Sequence, residues 1–384
     1  MKISPTLVQE VRKYGNFDVN GCYNCGSCTI TCDISSDSAS FPRRSIQYAL
    51  LGMSDPLIES LEPWLCQDCG DCSITCPHQA EPRESFASLR RYLAGRYDWT
   101  GLSSKIYRSK AWAIGTMVFT GLLVLILIAA YHLFILGMTF SDFTSDPVGF
   151  EHMFDTITYV TLAVIFIPHF VLISNGYRMY RFTMAGKGSG KIPPSLYLSE
   201  AKDIFLHVFT QKQMRKCPDQ LRKVRWLKHL IIASGCALMI ILLVFFLRWF
   251  QTDNLYPIYH PQRWLGYIAT ASLIYVSVDI LMGKIKQRGE PHEFLELHDI
   301  TFPVLLLLTA LSGIAVHFLR YGGYELAAHC AYAIHLSIAV PLLIIELPFG
   351  KWAQMFFRIL ALFFQSVREK ADENTVSEED LEAA

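Results

Sequence analysis

The sequence predicts a mainly α-helical protein, in which a small polar domain precedes a six-helix membrane-spanning bundle. Hydrophobic residues make up 52% of the 384 positions and charged ones only 18%, where a soluble chain carries about a quarter. Eight of the 11 cysteines fall within residues 22–76. From Ala111 onward, long stretches free of Asp, Glu, Lys and Arg recur. Lys+Arg and Asp+Glu are equal at 34 each, so only the placement of charge is informative. Met1–Tyr14 has no apolar h-region, so no signal peptide is expected. These features exclude a secreted disulfide scaffold, a purely soluble enzyme and a nucleic-acid-binding protein. They divide the chain into a domain over 1–100, a bundle over 101–350, and a terminal segment over 351–384.

The first 100 residues carry two related cysteine runs. Cys22-x2-Cys25-x2-Cys28-x3-Cys32 is followed by Cys66-x2-Cys69-x2-Cys72-x3-Cys76-Pro77. Two-residue spacers let three thiolates converge on one [4Fe–4S] cube, and small neighbours (Gly21, Gly26, Ser27, Gly70) let the backbone wrap closely. In two-cluster ferredoxins the fourth cysteine of each run ligates the other cluster. Cys22, Cys25, Cys28 and Cys76 are therefore expected at one cube, and Cys66, Cys69, Cys72 and Cys32 at its neighbour. Zinc sites have no need of the third cysteine in each run, and disulfides conflict with a cytoplasmic placement. Asp33 stands where the second run has Pro77. Cys217, Cys236 and Cys330 are isolated and read as structural thiols.

The apolar stretches run Ala111–Ser141, Thr156–Tyr177, Leu230–Leu247, Trp264–Val278, Ile300–Leu319 and Leu326–Ile345. A hydrocarbon core of about 30 Å needs about 20 helical residues. Five stretches meet that directly; the fourth, interrupted by Asp279, does so by running on to about Gly283. Gly176–Lys228 carries 12 Lys/Arg against 3 acids, and Lys284, Lys286 and Arg288 follow the fourth stretch, whereas Phe140–Met153 has no Lys or Arg. The positive-inside rule then places the even-numbered connections, and with six spans both termini, in the cytoplasm. Trp226, Trp249, Trp264 and Trp352 sit near helix ends. Lys351–Val367 reads as an interfacial amphipathic helix, followed by an acidic disordered tail.

Ionisable residues inside spans are costly and mark function. His132, His169, His229, His317 and His335 lie within or at the edge of the spans. Inward-facing imidazoles suit six-coordinate b-type haem. Estimated depth pairs His169 with His229 on the cytoplasmic side and His335 with His317 on the other, His132 being the substitute. Asp279 and Glu346 fall near cytoplasmic ends and are candidates for a proton relay. Gly186–Gly190 follows no strand and reads as a loop, not a nucleotide fingerprint.

On these residues the chain resembles two known families. The double cysteine run resembles the iron–sulfur subunit of heterodisulfide reductases. The remainder resembles the membrane cytochrome b of those enzymes and of the respiratory nitrate reductase gamma subunit, through Met153–Arg181, Arg225-Trp226-x2-His229, Asp299 to Gly313, and His335-Leu336 with Leu347-Pro348-Phe349. Their fusion is similar to the C subunits of quinone-interacting membrane-bound oxidoreductase complexes of sulfate reducers. The resemblance covers nearly the whole chain, the first span being extra relative to the gamma subunit. It implies an electron-transfer subunit, not a complete enzyme alone, with two [4Fe–4S] clusters, two b-haems and menaquinone as substrate. It also implies partners: cytoplasmic flavin and iron–sulfur subunits, and beyond them adenylylsulfate reductase. His229 and His335 match family ligands, but Met239 and Lys351-Trp352-Ala353-Gln354 stand where their usual histidine partners occur. The alternatives are a membrane module of a heterodisulfide-reductase-like or sulfite-linked complex, and a redox-sensing membrane anchor.

Overall fold

The computed structural model describes residues 3–35, 40–145, 154–184, 192–211, 220–250, 252–286 and 296–382. His152, Cys217, His292 and the 186–190 glycine run lie outside them, as does the side chain of His207. Among the described residues the chain is helical, with one isolated bridge between Ile3 and Met53 and no strand.

Six short helices open the chain: Leu7–Arg12 (α1), Ser27–Thr31 (α2), Arg43–Leu50 (α3), Ser54–Glu59 (α4), Glu62–Leu65 (α5) and Asp71–Ile74 (α6). They surround Pro82–Tyr97 (α7), which is backed by Leu102–Arg108 (α8). Pro82 starts α7 where a missing N–H is tolerated, and Phe86, Leu89, Leu93 and Tyr97 recur at helical spacing. That stripe is buried among Leu7, Val11, Phe17, Phe41 and Trp64.

The bundle follows as Lys110–Ala130 (α9), Phe140–Ser145 (α10), Phe154–Thr183 (α11), Pro194–Thr210 (α12), Gln220–Phe245 (α13), Leu247–Phe250 (α14), Pro261–Ile285 (α15), Leu297–Tyr321 (α16) and Glu325–Pro341 (α17). Six of its helical stretches are long and apolar enough to cross a membrane, and only 17–28% of their most apolar windows is buried. A soluble core cannot leave that much apolar surface outward; lipid can. The fourth span reaches Ile285 without a break at Asp279, because Lys228 reaches both carboxylate oxygens at 2.7 Å. The first span stops short of Ser141: Tyr131–Ile135 widens into a π-helical turn and Gly137 takes a left-handed φ of 64°. A second π-helical turn, Leu342–Glu346, follows α17.

Helices α13, α15, α16, α17 and α9 pack in that order, while α11 docks on the second π turn and on the helices after it. Gly121 lets α9 approach α17 closely, since a Cβ there would lie 2.7 Å from the Ser337 carbonyl oxygen.

After Leu347–Phe349 (α18), Lys351–Glu382 (α19) forms one continuous helix. It differs from the interfacial helix and disordered tail that the sequence suggests. Ala353, Phe357, Ala361, Phe364 and Val367 recur at three- and four-residue spacing and are buried in the N-terminal domain's core. The stripe that reads as lipid-facing is therefore covered by protein. Arg91, 2% exposed, ties the domain to the bundle, donating to the Tyr14 carbonyl at 3.1 Å and pairing with Asp299 of α16 at 3.1 Å. Lys351 meets the other Asp299 oxygen at 2.7 Å.

Candidate redox site

The two cysteine runs fold as a repeat. In each, the residue before the second cysteine and the glycine after it are left-handed: Asn24 and Gly26 at φ 59° and 86°, Asp68 and Gly70 at 60° and 90°. Asn and Asp tolerate this conformation better than other side chains, and glycine adopts it freely. Such reversals turn successive amide N–H groups toward one point, a concavity suited to anionic sulfur. Helices α2 and α6 then carry the third cysteines and pack on each other.

Two cavities result, and each draws on both runs. Cys22, Cys25, Cys28 and Cys76 line one of about 380 Å³, together with Arg43 and His78. Cys66, Cys69, Cys72 and Cys32 line the other, of about 490 Å³, together with Arg83 and Phe86. None of the eight is disulfide-bonded. The first cavity is the outer one: Cys25 is exposed, and Tyr23, beside His78 at 4.3 Å, is 76% exposed. The second is the inner one, since Trp64, two residues before Cys66, is fully buried against Phe357 of α19.

Burial raises the thiols, and crowding among them adds to it. Burial pushes Cys28 up, and Cys22, Cys25 and Cys76 push it further. Burial takes Cys32 up to about 11, helped by Cys66 and Cys69 of the other run. Cys72 is raised further still, first by burial and then by Cys66, Cys69 and Cys32. Cys25 goes the other way, because the Ser27 hydroxyl, at 3.4 Å, and the Ser27 amide stabilise its thiolate. The Ala80 N–H donates to the Cys76 sulfur at 3.4 Å. A cationic metal centre displaces the thiol protons and relieves the repulsion among crowded thiolates. The donor set thus fits iron–sulfur clusters, by chemistry and by number.

The histidines are less uniform. His132 and His169 each use Nδ1 on their own helix, at 2.9 Å from the Ile128 and 2.7 Å from the Ile165 carbonyl oxygen. His229 uses Nδ1 on the Gln211 side-chain oxygen at 2.7 Å. A hydrogen-bonded Nδ1 fixes the ring and leaves Nε2 for a metal. His335 lies against Gly313, with Nδ1 3.0 Å from the Ser312 hydroxyl. His317 is different: Nδ1 accepts from Arg263 at 2.9 Å, and Nε2 is 2.7 Å from the Tyr267 hydroxyl. Both its nitrogens are in use, so in this arrangement it offers none to iron. His169 is on α11, which docks on the end of the sixth span, and His229 is on α13, which packs on α15. His132 lies by Phe143, itself beside His329, six residues before His335 along α17. His335 and His317 are carried by neighbouring helices, His335 meeting α16 at Gly313, one turn before His317.

Asp279 is neutralised by Lys228. Glu346, 3% exposed, turns back to accept the Lys351 amide at 2.8 Å. Beside the inner cavity stand arginines that reading by motif missed: Arg83 lines it, and Arg83 and Arg90 meet Asp68 at 3.2 and 3.6 Å. Arg358 belongs with them. Its signal in the sequence is that no other charge stands between Lys351 and Arg368.

No known protein family, curated protein or solved structure matches this chain.

Proposed function

We propose that this chain is the membrane subunit of a quinone-linked oxidoreductase that takes electrons from menaquinol and hands them to cytoplasmic flavin and iron–sulfur partners. The observation that carries this reading is the pair of cavities, each gathering three cysteines of one run and the fourth of the other. Bound there, two [4Fe–4S] clusters supply one-electron transfer. The chain's own residues do the rest. Phe41 and Phe86 give the inner cavity an apolar wall, Arg83 and Arg90 place positive charge beside it, and the exposed Cys25 edge gives a partner access to the outer one.

The domain docks where the lysine- and arginine-rich connections emerge: Arg178, near the end of α11, donates to the Tyr97 carbonyl at 2.8 Å. By the positive-inside rule that end is cytoplasmic. In the bundle, His169, His229, His335 and His317 are the proposed haem b ligands, with His132 as the alternative to His317; ligation by His317 would require its ring to give up the Tyr267 or Arg263 hydrogen bond. Adenylylsulfate reductase as the final acceptor rests on the family resemblance alone.

The test is anaerobic purification of the full chain with iron and sulfide analysis. About eight of each, with paramagnetic signals that a menaquinol analogue develops in proteoliposomes, is the expected result. Stoichiometric zinc without visible charge-transfer absorbance would refute it.

A further inference from the structure

Helix α19 runs along the seam between the domain and the bundle, and its faces divide accordingly. Phe357 and Ala361 enter the domain's core, Phe357 lying 5.3 Å from Trp64 and 5.5 Å from Tyr97. Trp352 and Met355 pack instead against the bundle cluster that holds Ile232, Leu273 and Phe302. At about 100° per residue, position 358 projects between Met355 on one side and Phe357 and Ala361 on the other. Its guanidinium leaves at the seam. There it lies within electrostatic reach of Cys66, Arg90 and Asp68, and of His229 across the seam.

Arg358 is half-buried and, with respect to the described residues, makes no hydrogen bond or ion pair. Its neighbour Arg90 is also cationic and already engages Asp68. A partly desolvated guanidinium gains from further negative charge close by, and Asp68 already shares its charge with Arg83 and Arg90. Four thiolates around a cluster are such a charge.

We infer that Arg358 is a positioning residue for electron transfer, whose charge at the seam between His229 and the inner cysteine cavity raises the reduction potential of the inner cluster and leaves the outer one unaffected. This rests on the function proposed above. A positive charge favours the state with one more electron, and the effect is large only where protein replaces water around both partners. The outer cavity, open to solvent at Cys25 and beyond the inner one, is screened from it.

The experiment is a redox titration of the purified full chain followed by electron paramagnetic resonance, in wild type, Arg358→Met and Arg358→Lys. Methionine keeps the length and removes the charge, and Arg358→Gln replaces it if that chain fails to accumulate. Cys25→Ser, which alters only the outer site, assigns the two signals. At fixed ambient potential, Arg358→Met should lower the reduced-to-oxidised ratio of the inner cluster by about tenfold or more, 59 mV for one electron. The outer cluster should stay within about twofold, and Arg358→Lys should recover most of the inner cluster's loss. A wild-type chain with both clusters whose potentials ignore Arg358→Met, or shift equally, overturns the inference alone. A wild-type chain that binds no cluster overturns the functional reading and the inference with it.

Discussion

Replacing Phe357 by alanine tests whether α19 is a working part of the N-terminal domain. The ring is 1% exposed and lies 5.3 Å from Trp64 and 5.5 Å from Tyr97. Truncating a buried Phe to Ala costs about 3–5 kcal/mol, of which favourable aromatic pairing accounts for about 0.5–1.5. The loss falls on the docking of α19, because the ring faces the domain and not the bundle. At about 1.4 kcal/mol per decade, the population with α19 released rises by roughly two to three and a half orders of magnitude. Limited proteolysis in detergent, with a protease that cuts after Lys and Arg, reads that population when reclosing outpaces cleavage. Arg368 and Lys370 should be cut faster in proportion, whereas Ile30→Ala, at an 89% exposed position, should leave the rate nearly unchanged. If Phe357→Ala accelerates cleavage there by less than tenfold, the domain does not hold the helix.

Two further outcomes follow. Cys76→Ser should reduce bound iron from about eight to about four per chain and abolish the same signal as Cys25→Ser; loss of the Cys69 signal instead would show that each run serves its own cluster. In the iron-stripped chain, Cys32 holds its proton up to about 11 against an ordinary 9.0. Because the folded state binds this proton more tightly, the stability it adds is present below pH 9 and lost as the pH rises to about 11. Thermal unfolding should therefore weaken across that window without iron. An iron-loaded chain that weakens equally would count against thiolate ligation at Cys32.

Much of this architecture was legible in the sequence, for reasons that differ by element. The spacing within each cysteine run is local and readable; the crossing of Cys32 and Cys76 comes from the pattern of two-cluster ferredoxins. The six long apolar stretches are likewise readable one by one. Neighbours in space are not. Depth along a helix suggested His317 as a companion for His335, but its nitrogens are taken by Arg263 and Tyr267, 54 and 50 positions away. The terminal helix was misjudged because an apolar stripe looks the same whether lipid or protein covers it. Only Arg358, a lone charge amid that stripe, hinted that the cover was not lipid.

The closing contact on Trp64 comes from the far end of the chain, which sets an order of events at the ribosome. Some 260 residues separate Tyr97 from Phe357, on the order of 13–52 s of synthesis at about 5–20 residues per second. For that interval the domain is complete in sequence yet lacks the helix that covers Trp64 and Tyr97. A chain cut short before Phe357 leaves both rings without that cover, so the domain's packing is finished only when the last helix is made.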